Sequence, residues 1–97
     1  MKVNGEIIKK KEKELNIFNN GGRYEGDFRN GKREGKGIYY FNDGDRYEGD
    51  WRNGKQEGKG IFYFNNGDRE MGDYYNDKRI GKHAVLTKNG DVKTNNY

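Results

Sequence analysis

The feature that most constrains this chain is that it nearly repeats itself. Residues 24–37 read YEGDFRNGKREGKG and residues 47–60 read YEGDWRNGKQEGKG, an offset of 23 residues. The segments that follow also match, IYYFNDGDR from Ile38 and IFYFNNGDR from Ile61. A worn third copy continues the series, with Gly72, Gly81 and Gly90 standing one period beyond Gly49, Gly58 and Gly67. A unit this short cannot bury an apolar face alone, so each unit must stack on the next.

Each unit reads as a hairpin from its own chemistry. Asn30-Gly31 and Asn53-Gly54 mark one turn, and Asp43-Gly44, Asn66-Gly67 and Asn89-Gly90 mark the other. These residue types tolerate the positive φ of tight turns. Between the turns, Tyr24, Gly26 and Phe28 alternate with Glu25, Asp27 and Arg29, a period-two pattern rich in aromatics that predicts strands. The expected class is all-β, a meander of consecutive β-hairpins. A two-residue turn at Asn30-Gly31 predicts that Gly26 faces Gly35 and Tyr24 faces Gly37. Gly26, Gly35 and Gly37 then serve as bare berths for rings from adjoining strands. Because the period is odd, equivalent residues share a face only if one connection per unit holds an odd number of residues or a bulge. A three-residue link with a left-handed glycine around Gly44 and Gly67 meets that need.

These residues resemble MORN (membrane occupation and recognition nexus) repeats. The family pattern opens with aromatic-Glu-Gly, places an aromatic two residues on, and continues with Asn-Gly and a closing Gly-x-Gly. Tyr24, Gly26, Phe28, Gly31, Gly35 and Gly37 match it, as do Tyr47, Gly49, Trp51, Gly54, Gly58 and Gly60. The third copy keeps Gly72, Tyr74 and Gly81 but has Glu70 for the opening Tyr, Asp77 for the turn Gly and His83 for the last Gly. The resemblance implies an elongated, curved, single-layer antiparallel sheet. It also implies a module that binds partner proteins, often in a concave groove, and that has links to membranes. On this reading residues 1–14 are an atypical N-terminal cap and residues 15–91 the repeat array. Units 24–46 and 47–69 are well formed, with worn units before and after, and residues 92–97 form a C-terminal tail.

Composition bounds the rest. Only 29% of residues are hydrophobic and 37% are charged, which alone would favour disorder. One Trp, eight Tyr and five Phe at regular intervals offset this. The chain has no Cys, hence no disulfide staple and no sign of an oxidising compartment. No stretch approaches the ~20 apolar residues of a transmembrane helix, and no signal peptide is evident. The expected location is intracellular and cytoplasmic, with the cytoskeleton or a membrane surface as further settings.

The usual reactive groups are missing. With no Ser or Cys and His83 as the only histidine, neither a nucleophile–base pair nor a zinc site can be assembled. Asn42-Asp43-Gly44-Asp45 lacks the spacing and closing Glu of a calcium loop, and no glycine-rich phosphate loop opens a helix. We therefore expect no enzyme activity, no cofactor and no metal. Glu25 and Asp27 recur at equivalent positions, which suits a solvated face. His83 stands where Gly37 and Gly60 stood and is expected to close the last berth.

The leading expectation is a non-enzymatic scaffold that holds a partner helix or peptide on an aromatic-lined face or groove, within a larger assembly. Its candidate contacts are Tyr24, Phe28, Tyr39, Tyr40, Tyr47, Trp51, Phe62, Tyr63 and Tyr74, with Trp51 and Tyr47 as central anchors. Tyr40 and Tyr63 fall with Ile38 and Ile61 on the opposite face, where no berth is evident. The alternative is peripheral association with acidic phospholipids through Lys9, Lys10, Lys11 and Lys13, in a chain of net charge +4. Self-association through open sheet edges is a further expectation. The repeated Glu and Asp argue against nucleic acid.

Overall fold

The computed structural model describes residues 12–17 and 21–97. It contains eight strands: β1 (Glu12–Ile17), β2 (Arg23–Arg29), β3 (Lys32–Tyr40), β4 (Arg46–Arg52), β5 (Lys55–Tyr63), β6 (Arg69–Tyr75), β7 (Lys78–Leu86) and β8 (Val92–Asn96). They pair in chain order, each antiparallel to the next, in one open sheet. Among the described residues no second layer covers either face.

The two connections of each unit differ as the odd period requires. Asn30-Gly31 and Asn53-Gly54 are two-residue turns with positive φ at both positions (53° and 79°, 51° and 82°), the primed geometry that matches strand twist. The other connection closes when the Phe41 N–H donates to the Asp45 carbonyl at 2.9 Å. That leaves three loop residues with Gly44 at φ 97°. This three-residue link keeps Tyr24 and Tyr47 on one face.

The register inside each unit departs from the simple hairpin. Arg29 pairs with Lys32 and Phe28 with Arg33, but Gly26 then pairs with Gly37 and Tyr24 with Tyr39. Residues 34–36 stand opposite Asp27 alone, so the strand bulges. Gly35 lies in this bulge at φ 83°, a conformation costly for any other residue. Gly35 is therefore a backbone hinge and not a ring berth, and the expected pairings of Gly26 with Gly35 and of Tyr24 with Gly37 are both off by two. Asp27 is not solvated either. It is 9% exposed and its carboxylate accepts the Lys36 N–H within the bulge at 3.3 Å. Asp50 does the same for Lys59 at 3.2 Å.

The berths themselves exist, seated on different pairs. Gly26, Gly37, Gly49 and Gly60 form one row across β2–β5, each paired with the next. The Tyr24 ring lies over Gly26 and Gly37, and the Tyr47 ring over Gly49 and Gly60. Each ring comes from two residues earlier on its own strand. Its hydroxyl donates to the carbonyl of the bulge aspartate, Tyr24 to Asp27 at 2.9 Å and Tyr47 to Asp50 at 3.3 Å.

Residues 92–97, expected as a tail, are part of the sheet. Val92–Asn96 pairs with β7, and the Tyr97 N–H donates to the Gly81 carbonyl at 2.9 Å. Tyr97 continues the series Phe28, Trp51, Tyr74 at the 23-residue period. At the other end, β1 already includes residues 12–14 of the expected cap; the rest of that expectation lies outside the described residues.

Candidate functional site

The sheet has two faces of different chemistry. On the first, which we call the ring face, Tyr24, Tyr39, Tyr47, Phe62, Glu70 and Val85 form one row across the strands. Beside it runs an unbroken chain of edge-to-face contacts. Phe28 meets Tyr24 at 5.1 Å, Tyr24 meets Trp51 at 5.3 Å, and Trp51 meets Tyr47 at 5.3 Å. Tyr47 meets Tyr74 at 4.9 Å, Tyr74 meets His83 at 5.3 Å, and His83 meets Tyr97 at 5.0 Å. Each such pair adds about 0.5–1.5 kcal/mol beyond simple burial. The Trp51 indole N–H also donates to the Gly37 carbonyl at 3.1 Å.

This zipper is the core of a one-layer protein, and that decides the fate of the predicted contacts. Tyr24 and Tyr47 have no exposed surface, and Phe28, Trp51 and Tyr74 are almost completely buried. These five rings form the floor of the face, so Trp51 and Tyr47 are not surface anchors. Burial pushes the Tyr24 hydroxyl up to about 12, with Asp27 adding to the rise and Arg33 opposing it. Burial likewise raises Tyr74 to about 12, against the pull of Arg79. It also raises Tyr47, helped by Tyr74 and Asp50.

Above that floor lies a second, half-buried tier: Tyr39 against Phe41 (4.8 Å), Phe41 against Phe62 (5.5 Å) and Phe62 against Phe64 (4.8 Å). Tyr39, Phe41 and Phe62 line an open groove of about 390 Å³, flanked by Arg33, Gln56 and Arg79. The Arg33 guanidinium lies over Trp51 at 4.7 Å and donates to the Gly54 carbonyl at 2.6 Å. Arg79 lies over Phe62 at 5.3 Å, and its Nε is 3.4 Å from the Glu70 carboxylate. Of the predicted contacts, only Tyr39 and Phe62 line this groove with surface to spare. Phe41, Arg33 and Arg79 were missed as contacts. The readable signal was that residues 33, 56 and 79 are equivalent by period and all carry polar donors.

The reverse face carries the other two candidates. Tyr40 and Tyr63 lie in the row Arg23, Tyr40, Arg46, Tyr63, Arg69. They are covered by their cross-strand partners: Arg23 stacks on Tyr40 at 3.9 Å and Arg46 on Tyr63 at 3.8 Å, contacts worth about 0.5–1 kcal/mol at exposed sites. The berth that was not evident for these rings is a guanidinium. The nine predicted contacts therefore do not form one site. The alternative lipid contacts Lys9, Lys10 and Lys11 lie outside the described residues, as does the side chain of Lys13.

In the worn unit the berth is filled from the opposite strand. Glu70 stands in the row where Tyr24 and Tyr47 stood, and the His83 ring, from β7, lies over Gly72. The His83 Nε2–H donates to the Asp73 carbonyl at 2.8 Å, the bond that the tyrosine hydroxyls make to Asp27 and Asp50. His83 is fully buried, with its Nδ1 3.1 Å from the Glu70 carboxylate. That carboxylate also accepts the Tyr97 hydroxyl at 2.7 Å. His83 does close the last berth.

The family model for the MORN repeat matches residues 24–46 and 47–69. These two segments are MORN repeats. Their limits coincide with the two full hairpin units, each holding one tyrosine berth and one three-residue link. MORN repeats are commonly modules of protein or membrane interaction. No curated protein matches the chain. Among the described residues no helix is long and apolar enough to cross a membrane.

Proposed function

We propose that the chain is a non-enzymatic binding scaffold that holds a helix or extended segment of a partner protein on its ring face. The observation that supports this is the groove over Tyr39, Phe41 and Phe62. It is a strip of half-exposed rings left open above the sealed rings Tyr24, Phe28, Tyr47, Trp51 and Tyr74. Aromatic surface beside arginine is the composition that dominates protein-binding hot spots. The sealed zipper beneath gives the groove a rigid floor, so a partner need not order it on binding.

The test is a pull-down with the wild-type chain and with Phe41→Asp, each checked for folding by circular dichroism. A partner captured by wild type and lost with Phe41→Asp supports the reading. The same captured proteins with both, the variant being folded, would overturn it.

A further inference from the structure

The reverse face holds a trough that the ring-face reading does not use. Across β1–β6, the residues Leu15, Glu25, Ile38, Glu48, Ile61 and Met71 form one row, each paired with the next. Alongside it runs the row of glycine backbone, and beyond that a wall of paired ions. Lys36 bonds Asp50, and Lys59 bonds Asp73 at 3.0 Å. The side-chain positions of that glycine row point to the ring face, so on the reverse face only backbone lies between the two rows and a trough opens there. Its volume is about 690 Å³ around Leu15, Ile38 and Glu48, and a further stretch of about 460 Å³ continues past Ile61 to Met71.

The charge of this trough is set by two residues. The lysines and aspartates of one wall neutralise each other. In the opposite wall Glu25 and Glu48 are exposed, and among the described residues neither carboxylate has an ion-pair or hydrogen-bond partner. The chain as a whole is basic, at +4, and the row holding Arg23, Arg46 and Arg69 runs just beyond this wall, with Arg23 and Arg46 turned onto Tyr40 and Tyr63, so the negative sign is confined to the trough itself. The two carboxylates sit two strands apart, about 9.6 Å at the usual strand spacing, with Ile38 midway between them and Leu15 and Ile61 outside.

We propose that this trough docks a basic amphipathic helix of a partner protein, lying across the strands. Seven residues of α-helix rise about 10.5 Å, which matches the separation of Glu25 and Glu48. Lys or Arg at positions i and i+7 then meets the two carboxylates. Apolar side chains at i+3 or i+4, on the same helix face, fall on Ile38, and those one heptad later fall on Ile61. The row from Leu15 to Met71 spans about 24 Å, room for about four helical turns. An extended peptide fits poorly, because its same-side residues recur at about 6.6 and 13 Å.

The probe is a synthetic amphipathic helix about 18 residues long with Lys at i and i+7 and Leu between, and a counterpart carrying Glu at the two Lys positions. Binding to the whole chain is read by fluorescence anisotropy at low salt. We expect the Lys peptide to bind and the Glu peptide not to. The double variant Glu25→Lys/Glu48→Lys should weaken the Lys peptide by about tenfold, as two weakly favourable exposed pairs become repulsive. Both residues are exposed, so this variant should melt like wild type. Phe41→Asp should leave the peptide's affinity unchanged, which separates this proposal from the ring-face reading. Absence of binding by the Lys peptide, equal binding by the Glu peptide, or undiminished affinity in the double variant would each overturn it.

Discussion

The two well-formed repeats and the worn third unit solve one packing problem in two ways. In residues 24–69 a tyrosine lies over a pair of glycines and bonds the carbonyl of the bulge aspartate. In the third unit that tyrosine has become Glu70 and one glycine of the pair has become His83. The imidazole arrives from the facing strand, covers Gly72 and makes the same bond to Asp73. Read one position at a time, the third unit has lost both the ring and one glycine of its berth. Read as a pair, it has moved the ring from one strand to the other. The aromatic zipper therefore runs past the point where the sequence pattern fades, and it ends on Tyr97. What the repeat preserves is a ring over bare backbone, whichever residue provides it.

The largest expected effect lies in the regular region. Trp51 touches Tyr24, Tyr47 and Tyr39 and bonds the Gly37 carbonyl. Trp51→Ala should cost about 4 kcal/mol, enough to lower Tm by roughly 20 °C in a domain of this size. Tyr74→Ala, where the zipper enters the third unit, should cost less. A larger loss at Tyr74 in thermal melting would mean that the worn unit, and not the regular pair, dominates stability. Next comes Gly49→Val. A Cβ there falls 2.5 Å from the Lys59 carbonyl oxygen and 2.6 Å from the Gly60 Cα, backbone atoms with little freedom to yield. We expect a loss of about 3 kcal/mol despite valine's strand preference. A melt equal to wild type would contradict the berth.

A smaller effect, common to both regions, is read by pH. The Tyr24 and Tyr74 hydroxyls are held at about 12 in the fold, above the ordinary value of 10. Their contribution is complete below pH 10 and is lost as pH rises through 12, because the unfolded chain releases those protons first. Urea midpoints should hold steady to about pH 10 and then fall, and Tyr24→Phe should reduce the steepness of the fall. A midpoint that stays flat from pH 10 to 12 would contradict the buried hydroxyls.

Much of this was legible in the sequence, and the failures have physical causes. The period and the Asn-Gly turns follow from local backbone chemistry, and parity called for one odd connection or a bulge per unit without deciding where it lies. The ring pairing was displaced by two residues because a bulge leaves parity unchanged and so hides from alternation. One clue was present: Gly35, Gly58 and Gly81 persist in all three units, whereas the berth glycine gives way to His83. Gly35, Gly58 and Gly81 are held by their positive φ, which a change of ring does not relieve. Asp27 looked like solvent-facing charge because its partner is a backbone N–H, which no side-chain pattern reveals. The candidate site was the least legible part. Alternation identifies which residues share a face. It does not say which rings seal against one another, as Trp51 does, and which remain open, as Phe41 and Phe62 do.

The central claim, that the berth is conserved while the ring changes strand, is tested most directly by a double-mutant cycle on Glu70→Tyr and His83→Gly. Each single change should destabilise the sheet, the first by forcing two rings into one berth and the second by emptying it and leaving Glu70 without its neighbour. The double variant restores the arrangement of the regular units. It should be more stable than the sum of the singles by about 1–2 kcal/mol in chemical denaturation. Strict additivity would contradict the account.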